Sequence, residues 1–346
     1  MSVDYTEQGS AAIITLNRPK FLNTLTYEMI EKIERYLKNI NKNKNIKLVI
    51  FKGEGEKAFC AGGDVKGFYQ EKFSNINKLR KEFFYKEYKI NYLIKKYKKP
   101  IISFINGICM GGGVGIALHS KIVIVSEKVV FAMPETALGL FPDVGAGNIL
   151  SKLDDNIGIY LGLTGKRLCS ADLIQLGLAK YCVNINNFNT LQNLLVNATN
   201  IRSINKIINQ YTIETNSILF PSLNKEIYKV FKHNKVEKII SLLQNSNKKW
   251  AQEALSTIQN NSPTSLKITL KQIRLAKHKS FKDDLIMEYR MSQACMAGGD
   301  FYEGVRSILI DKDHKPKWKP NKIEDVNSKL VMAHFKPLGN DDLKFK

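Results

Sequence analysis

The apolar positions of this chain change their period along its length. Ala11–Leu16 is a short apolar run that stops at Asn17-Arg18-Pro19, where proline ends regular strand pairing. From Leu22 to Ile40, apolar residues fall at Leu25, Met29, Ile33, Tyr36, Leu37 and Ile40, the spacing of one helix face, with Thr26 placed as N-cap. Leu48–Phe51 is a second buried strand, ended by Gly53 and Gly55. Strand, helix and strand in this order predict an α/β layer.

Lys78–Ile94 reads as a charged amphipathic helix carrying Phe83, Phe84, Tyr88 and Leu93, broken at Lys99-Pro100 before the strand Ile101–Ile105. Gly111-Gly112-Gly113 leads into a buried helix at Val114–His119, followed by the strand Ile122–Val125 and the short run Val130–Ala132. Beyond about Leu150 helical periods dominate, in Leu191–Ile208, Lys235–Gln244, Trp250–Gln259 and Phe281–Met296. The pattern therefore predicts a strand-bearing core over 1–200 and a mainly helical region over 201–346. No fixed-period repeat marks a solenoid.

With 346 residues, 44% apolar and 25% charged, the chain can bury a large core, which excludes a disordered tail or a disulfide mini-scaffold. The apolar runs Ile101–Ile108 and Lys121–Val130 are too short and too interrupted to span a membrane. Charge alters the picture more: 53 Lys+Arg against 32 Asp+Glu leaves +21, a balance that attracts polyanions. The lysines are interleaved with asparagine and recur throughout, so solvated faces account for most of the excess and nucleic acid is the less favoured partner. Five cysteines without a CxxC pair argue against a disulfide framework and a zinc site, and so for a reducing compartment. Met1–Ser10 has neither a hydrophobic signal core nor an Arg/Ser-rich presequence, so either no cleaved signal is needed or the chain is already mature.

Candidate chemistry gathers at three places. Phe59-Cys60-Ala61-Gly62-Gly63-Asp64 and Met110-Gly111-Gly112-Gly113 each follow a strand and precede a helical pattern, so both can present bare backbone N–H groups to an oxyanion. Taken singly, such turns are usually no more than turn formers. Neither matches a dinucleotide fingerprint or a phosphate loop, which disfavours NAD and ATP. The third place, Met133–Asp143, sets Glu135 and Asp143 eight positions apart in an otherwise almost wholly apolar segment. A carboxylate there would lose hydration and its pKa would rise toward the range useful for acid–base work, though a surface glutamate capping a helix fits equally. His119 reads as a packed imidazole, Cys60 and Cys109 as small apolar packing, and no Gly-x-Ser-x-Gly elbow anchors a serine triad. No His/Asp/Glu cluster has metal-ligand spacing.

The segments Leu16–Asn23, Ala58–Asp64, Asn106–Gly115 and Met133–Asp143, with Ser262–Leu270, Glu288–Met296 and Glu303-Gly304-Val305-Arg306 through Trp318-Lys319-Pro320, together resemble the crotonase superfamily of CoA-thioester enzymes over nearly the whole chain. The resemblance implies an α/β spiral of repeated ββα units, with C-terminal helices that cover the site and serve assembly. It implies that the N–H groups of Gly63 and Gly112 hold the thioester carbonyl. Hydratases of the superfamily resemble one another in a glutamate three residues after the second oxyanion glycine, where this chain has Gly115. Glu135 with Asp143 is instead similar to the branch that hydrolyses 3-hydroxyacyl-CoA thioesters. The resemblance thus implies that Glu135 is the main catalytic residue, attacking the thioester carbon or activating a water, while Asp143 orients the substrate hydroxyl or the water and assists proton transfer to the leaving thiolate.

Glu87 matches a substrate-contact position of that branch; without the resemblance it reads as a solvated carboxylate paired with lysine. Lys20, near the segment where relatives bind CoA, is a contact for the CoA phosphates or simply a surface lysine. The implied substrate is 3-hydroxyisobutyryl-CoA, with 3-hydroxypropionyl-CoA one methyl group smaller, and the implied place is valine breakdown in the mitochondrion, with the cytoplasm as alternative because no presequence is visible. No metal and no cofactor beyond substrate CoA is implied. Trimers and hexamers are frequent in the superfamily and leave the oligomeric state open. Two rival functions are an enoyl-CoA hydratase or isomerase, against which Gly115 counts, and a non-catalytic mitochondrial ribosomal subunit contacting RNA, which would have no reason to keep Gly63, Gly112, Glu135 and Asp143 together.

Overall fold

Among the described residues nine short strands carry the apolar runs: β1 Val3–Gln8, β2 Ala11–Leu16, β3 Leu48–Gly53, β4 Ala58–Cys60, β5 Ile101–Ile105, β6 Ile108–Met110, β7 Ile122–Ser126, β8 Val130–Ala132 and β9 Tyr181–Val183. The computed structural model describes residues 2–71, 78–216 and 219–345. β1 pairs antiparallel with β2, and the rest of the larger sheet is parallel, in the order β1-β2-β3-β5-β7-β9. β4, β6 and β8 form a second parallel sheet. Each of the pairs β3–β4, β5–β6 and β7–β8 therefore sends its first strand to the large sheet and its second to the small one. A helix follows β4 at Val65–Glu71 and another follows β6 at Gly112–Ala117, so the repeating element is ββα.

β2 is buried at all six positions and β5 and β7 at all five, which explains why these strands read as continuous apolar runs rather than alternations. One face of the large sheet stacks Ile13, Ile50, Ile102 and Ile124 against Leu191, Leu195, Ile204 and Ile208 of the helices Phe188–Leu195 and Ile201–Asn209. Each such fully buried side chain contributes about 1.5–3 kcal/mol of transfer free energy. Sequence periodicity runs these two helices together as Leu191–Ile208. Asn200 separates them, accepting from the Ser203 N–H at 2.9 Å and so starting a new helix.

The helix predicted from Leu22 begins at Tyr27, with Thr26 accepting from the Met29 N–H and Met29, Ile30, Ile33, Leu37 and Ile40 buried. Leu22 and Asn23 are excluded because both take positive φ, 52° and 56°. The buried Asn23 amide fixes that turn by donating to the Glu54 and Ala58 carbonyls at 3.0 and 2.8 Å. β1 escaped the sequence pattern because it is an edge strand whose last three residues are exposed and polar.

The chain divides into two units. The first comprises Met1–Gly63, Lys89–Ala132 and Arg167–Pro221 and contains both sheets; the second comprises Asp64–Tyr88, Met133–Lys166 and Ser222–Lys346 and is built from helices. In the second, Pro263–Ala276 starts with Ser262 capping the Ser265 N–H and proline at the first position, and Phe281–Ala297 starts with Ser280 capping Asp283. No described helix is long and apolar enough to cross a membrane.

Candidate active site

In the first unit the two glycine turns lie side by side. β4 runs into Ala61-Gly62-Gly63 and β6 into Gly111-Gly112-Gly113, and the paired strands set Cys60 opposite Cys109. Gly62 has φ +114°, a conformation that L side chains rarely adopt. A Cβ on it would stand 3.5 Å from the Met110 carbonyl oxygen and 3.8 Å from the Gly112 nitrogen. Gly112 is the first residue of its helix, so its N–H is one that the helix leaves without an internal partner. The bond that ties the first turn to Leu25 runs from the Leu25 N–H to the Gly62 carbonyl at 2.8 Å and does not use the Gly63 N–H. Cys60 and Cys109 are buried beneath the turns; burial, then Cys60, pushes the Cys109 thiol well above its ordinary pKa, so it packs as a thiol rather than acting as a thiolate.

In the second unit Glu87, Glu135 and Asp143 come together as a buried acidic cluster. Glu135 opens the 3-10 turn Glu135–Leu138 behind Pro134, and is 5% exposed, so it is not a surface helix cap. Its Oε2 has no hydrogen-bond partner among the described residues, and neither does Glu87 Oε1. Asp143 accepts the Tyr88 hydroxyl at 2.7 Å. Burial pushes Asp143 up to about 6 against the opposing effect of that hydroxyl and a backbone N–H. Burial, then Asp143, raises Glu135 well above the usual carboxylate range; burial, then Asp143 and Glu135, does the same to Glu87. These groups feel one another's charge, and a buried acid without a partner is poised to take a proton or a ligand donor.

Glu87 is therefore no solvated helix carboxylate: it is 3% exposed, on the Lys78–Lys95 helix. Asn91, one turn further, is fully buried with neither amide atom bonded among the described residues. Lys20 is exposed beside a cavity of about 310 Å³ that it lines with Pro19, Leu22 and Lys57. His119 is buried just beyond the Gly112–Ala117 helix.

Sequence reasoning missed three contributors. Tyr88 was counted among the apolar positions, and nothing in a sequence separates a phenol that packs from one that donates. Glu288 and Asp284 were not assigned a role, although carboxylates spaced i,i+4 on a stripe with Leu285, Met291 and Cys295 are a legible signal of a buried acidic pair. Glu288 accepts from the Gly145 and Gly147 N–H groups at 2.6 and 3.0 Å, and Asp284 from the Asn148 N–H at 2.7 Å. Among the described residues no group of three His, Cys, Asp or Glu is arranged to hold a metal ion.

The raised acids carry a stability cost with a definite sign. A carboxyl whose pKa is higher folded than unfolded favours the folded state at low pH, and that contribution is lost as pH rises through the folded value. Glu135→Gln should therefore raise the Tm at pH 8, by roughly 2–4 °C for each kcal/mol relieved, with the difference vanishing near pH 4. Calorimetry at the two pH values checks this; an unchanged or lower Tm at pH 8 would contradict the burial of an ionisable Glu135.

The family model for enoyl-CoA hydratase/isomerase matches residues 11–335. The chain is 44% identical over 346 residues to the mitochondrial 3-hydroxyisobutyryl-CoA hydrolase of Bos taurus, covering 98% of this chain and 89% of the relative. Among solved structures, it is similar to an enoyl-CoA hydratase from Rhodobacter sphaeroides 2.4.1 at 32% identity and TM-score 0.93, covering 100% of both chains. It is also similar to a carnitinyl-CoA dehydratase from Mycobacterium thermoresistibile at 31% identity and TM-score 0.94, covering 100% of this chain and 99% of that one.

Proposed function

The chain belongs to the enoyl-CoA hydratase/isomerase family, and we propose that within it the protein hydrolyses the thioester of 3-hydroxyisobutyryl-CoA, a step in valine breakdown. The identity to a named hydrolase across almost the whole of both chains supports this. The single structural observation that carries it is Glu135, buried with a free carboxyl oxygen beside Asp143, while Gly115 leaves the other acid position of the hydratases without a side chain. Water addition across a double bond loses a partner in that arrangement.

The thioester carbonyl is held by the Gly63 and Gly112 N–H groups, which meet the charge that develops on its oxygen as the carbon becomes tetrahedral. Glu135 acts as a carboxylate, either attacking the carbonyl carbon to give a mixed anhydride that water then opens, or removing a proton from the water that attacks. In both routes the C–S bond breaks, CoA leaves as a thiolate that takes up a proton with the help of Asp143, and one water is consumed. Tyr88 holds Asp143 for this work, and Glu87 contacts the substrate. Lys20 contacts the phosphates of CoA. The relatives' mitochondrial name supports the same compartment.

The test is free-thiol release from 3-hydroxyisobutyryl-CoA by the purified protein, with crotonyl-CoA hydration followed in parallel. Thiol release without hydration is expected, as is turnover of 3-hydroxypropionyl-CoA within about 10–200-fold, the range that one methyl group commands. The rate should fall at acid pH as the buried carboxyls take up protons, Glu135 from its raised position and Asp143 near its value of about 6. Hydration without thiol release would assign the hydratase activity instead, and turnover of neither would favour the RNA-bound scaffold.

A further inference from the structure

We propose that Glu288, with Gln272 and Asp284, forms a clasp that positions Asp143 for the hydrolysis proposed above. The inference deepens that reading and rests on it. Every main-chain group grasped by these side chains flanks Asp143. Gln272 donates its Nε2 to the Pro142 carbonyl at 2.7 Å, on one side. On the other, Glu288 takes the Gly145 N–H on Oε2 and the Gly147 N–H on Oε1, and Asp284 takes the Asn148 N–H. Gln272 also donates to Glu288 Oε1 at 3.1 Å, so the helices Pro263–Ala276 and Phe281–Ala297 act as one jaw. All three side chains are wholly buried.

A second observation shows that the segment needs holding. Val144 has φ +55° and Gly145 φ +83°, two consecutive left-handed residues of which the first is β-branched. Such a conformation is strained and persists only where its surroundings over-determine it. The Glu288 bonds to the two glycine amides, at 2.6 and 3.0 Å, supply that constraint. Gly147 has no side chain for a matching reason: a Cβ there would meet Asp284 Oδ1 at 2.8 Å and Gln272 Nε2 at 3.1 Å. With the segment fixed, the Asp143 carboxylate is presented to the Tyr88 hydroxyl.

Two variants separate positioning from mere support. Glu288→Gln offers one acceptor oxygen to two amides, and Gly147→Ala wedges the clasp while leaving every charge in place. Both should lower kcat for thiol release by about 10–100-fold with KM changed less than about threefold, and neither should add to the loss already caused by Asp143→Asn. Gly147→Ala gives a pH readout. The groups facing Asp143 are Glu87 and Tyr88 from one helix, Glu135 from its own segment, and Glu288 and Cys295 from the Phe281–Ala297 helix. None changes charge in that variant, and loss of the Tyr88 bond should move the acid limb of kcat/KM upward from about 6.

Losses that add in full to Asp143→Asn, or a Gly147→Ala profile identical to the wild type, would overturn the clasp while leaving the hydrolase reading intact. Should the wild type release no thiol, it is the hydrolase reading that falls. The Asp143 titration followed by carboxyl 13C NMR in the free protein then decides the clasp, an unshifted value in Gly147→Ala overturning it.

Discussion

Glu135→Gln lowers kcat for thiol release from 3-hydroxyisobutyryl-CoA by about 10³–10⁴-fold, the upper part of the range for removal of a positioned base or nucleophile. Gln is nearly isosteric, so the 3-10 turn that opens at residue 135 and the Leu140 N–H bond to its carbonyl persist. What disappears is a charge that can attack carbon or accept a proton. Each tenfold is about 1.4 kcal/mol of barrier, so the variant gives up about 4–6 kcal/mol of transition-state stabilisation. Because burial and Asp143 both oppose ionisation of Glu135, the same variant folds more stably at alkaline pH. Lost activity joined to gained Tm separates a catalytic carboxylate from a structural one, whose removal would lower both.

The variant leaves the choice between attack and base catalysis to a second experiment. A single turnover of the wild type in H2¹⁸O, with mass analysis of product and protein, bears on it. An unlabelled first product with ¹⁸O left in Glu135 requires direct attack and opening of the anhydride at the Glu135 carbon, whereas ¹⁸O in the first product fits an activated water and an anhydride opened at the acyl carbon alike. A Glu135→Gln enzyme retaining more than about one tenth of kcat would remove Glu135 from both routes.

Much of this was legible in the sequence because burial on two faces and helical amphipathicity leave different periods. β2, β5 and the Tyr27–Lys42 helix announced themselves in that way. Of the three-residue strands of the small sheet, β8 is legible as the short run Val130–Ala132, whereas β4 and β6, too short to carry a period, are visible only through the glycines that follow them. Of the site, Glu135 and Asp143 stood out as charges in an apolar segment. Tyr88, Gln272 and Glu288 act through bonds to residues 55, 130 and more than 140 positions away, and no local pattern records such a pairing. Gly147 looked like one glycine among 22, and only the crowding at its missing Cβ gives it a purpose.

The second large effect tests the proposed oxyanion role of the two glycine turns by sterics alone. In Gly113→Ala the new Cβ would fall 2.2 Å from the Cys60 carbonyl oxygen and 2.9 Å from the Cys60 Cβ. Backbone oxygen cannot swing aside as a flexible side chain does, so the two turns must separate by something near an ångström. An oxyanion donor works only when it lies about 2.7–3.1 Å from the developing charge, and loss of one typically costs 10²–10³-fold in kcat. That is the expected loss here, with about 1–3 kcal/mol of stability from overpacking. Gly299→Ala is the matched control: a Cβ there meets nothing within 4 Å, and both kcat and Tm should stay at wild-type values. The deficit of Gly113→Ala should be the same at every pH, because the new Cβ meets none of the carboxylates, whereas a loss that recovers with pH would point to them instead. A Gly113→Ala protein with full kcat would show that the turns can part without consequence, and the Gly63 and Gly112 amides would then have no claim on the thioester carbonyl.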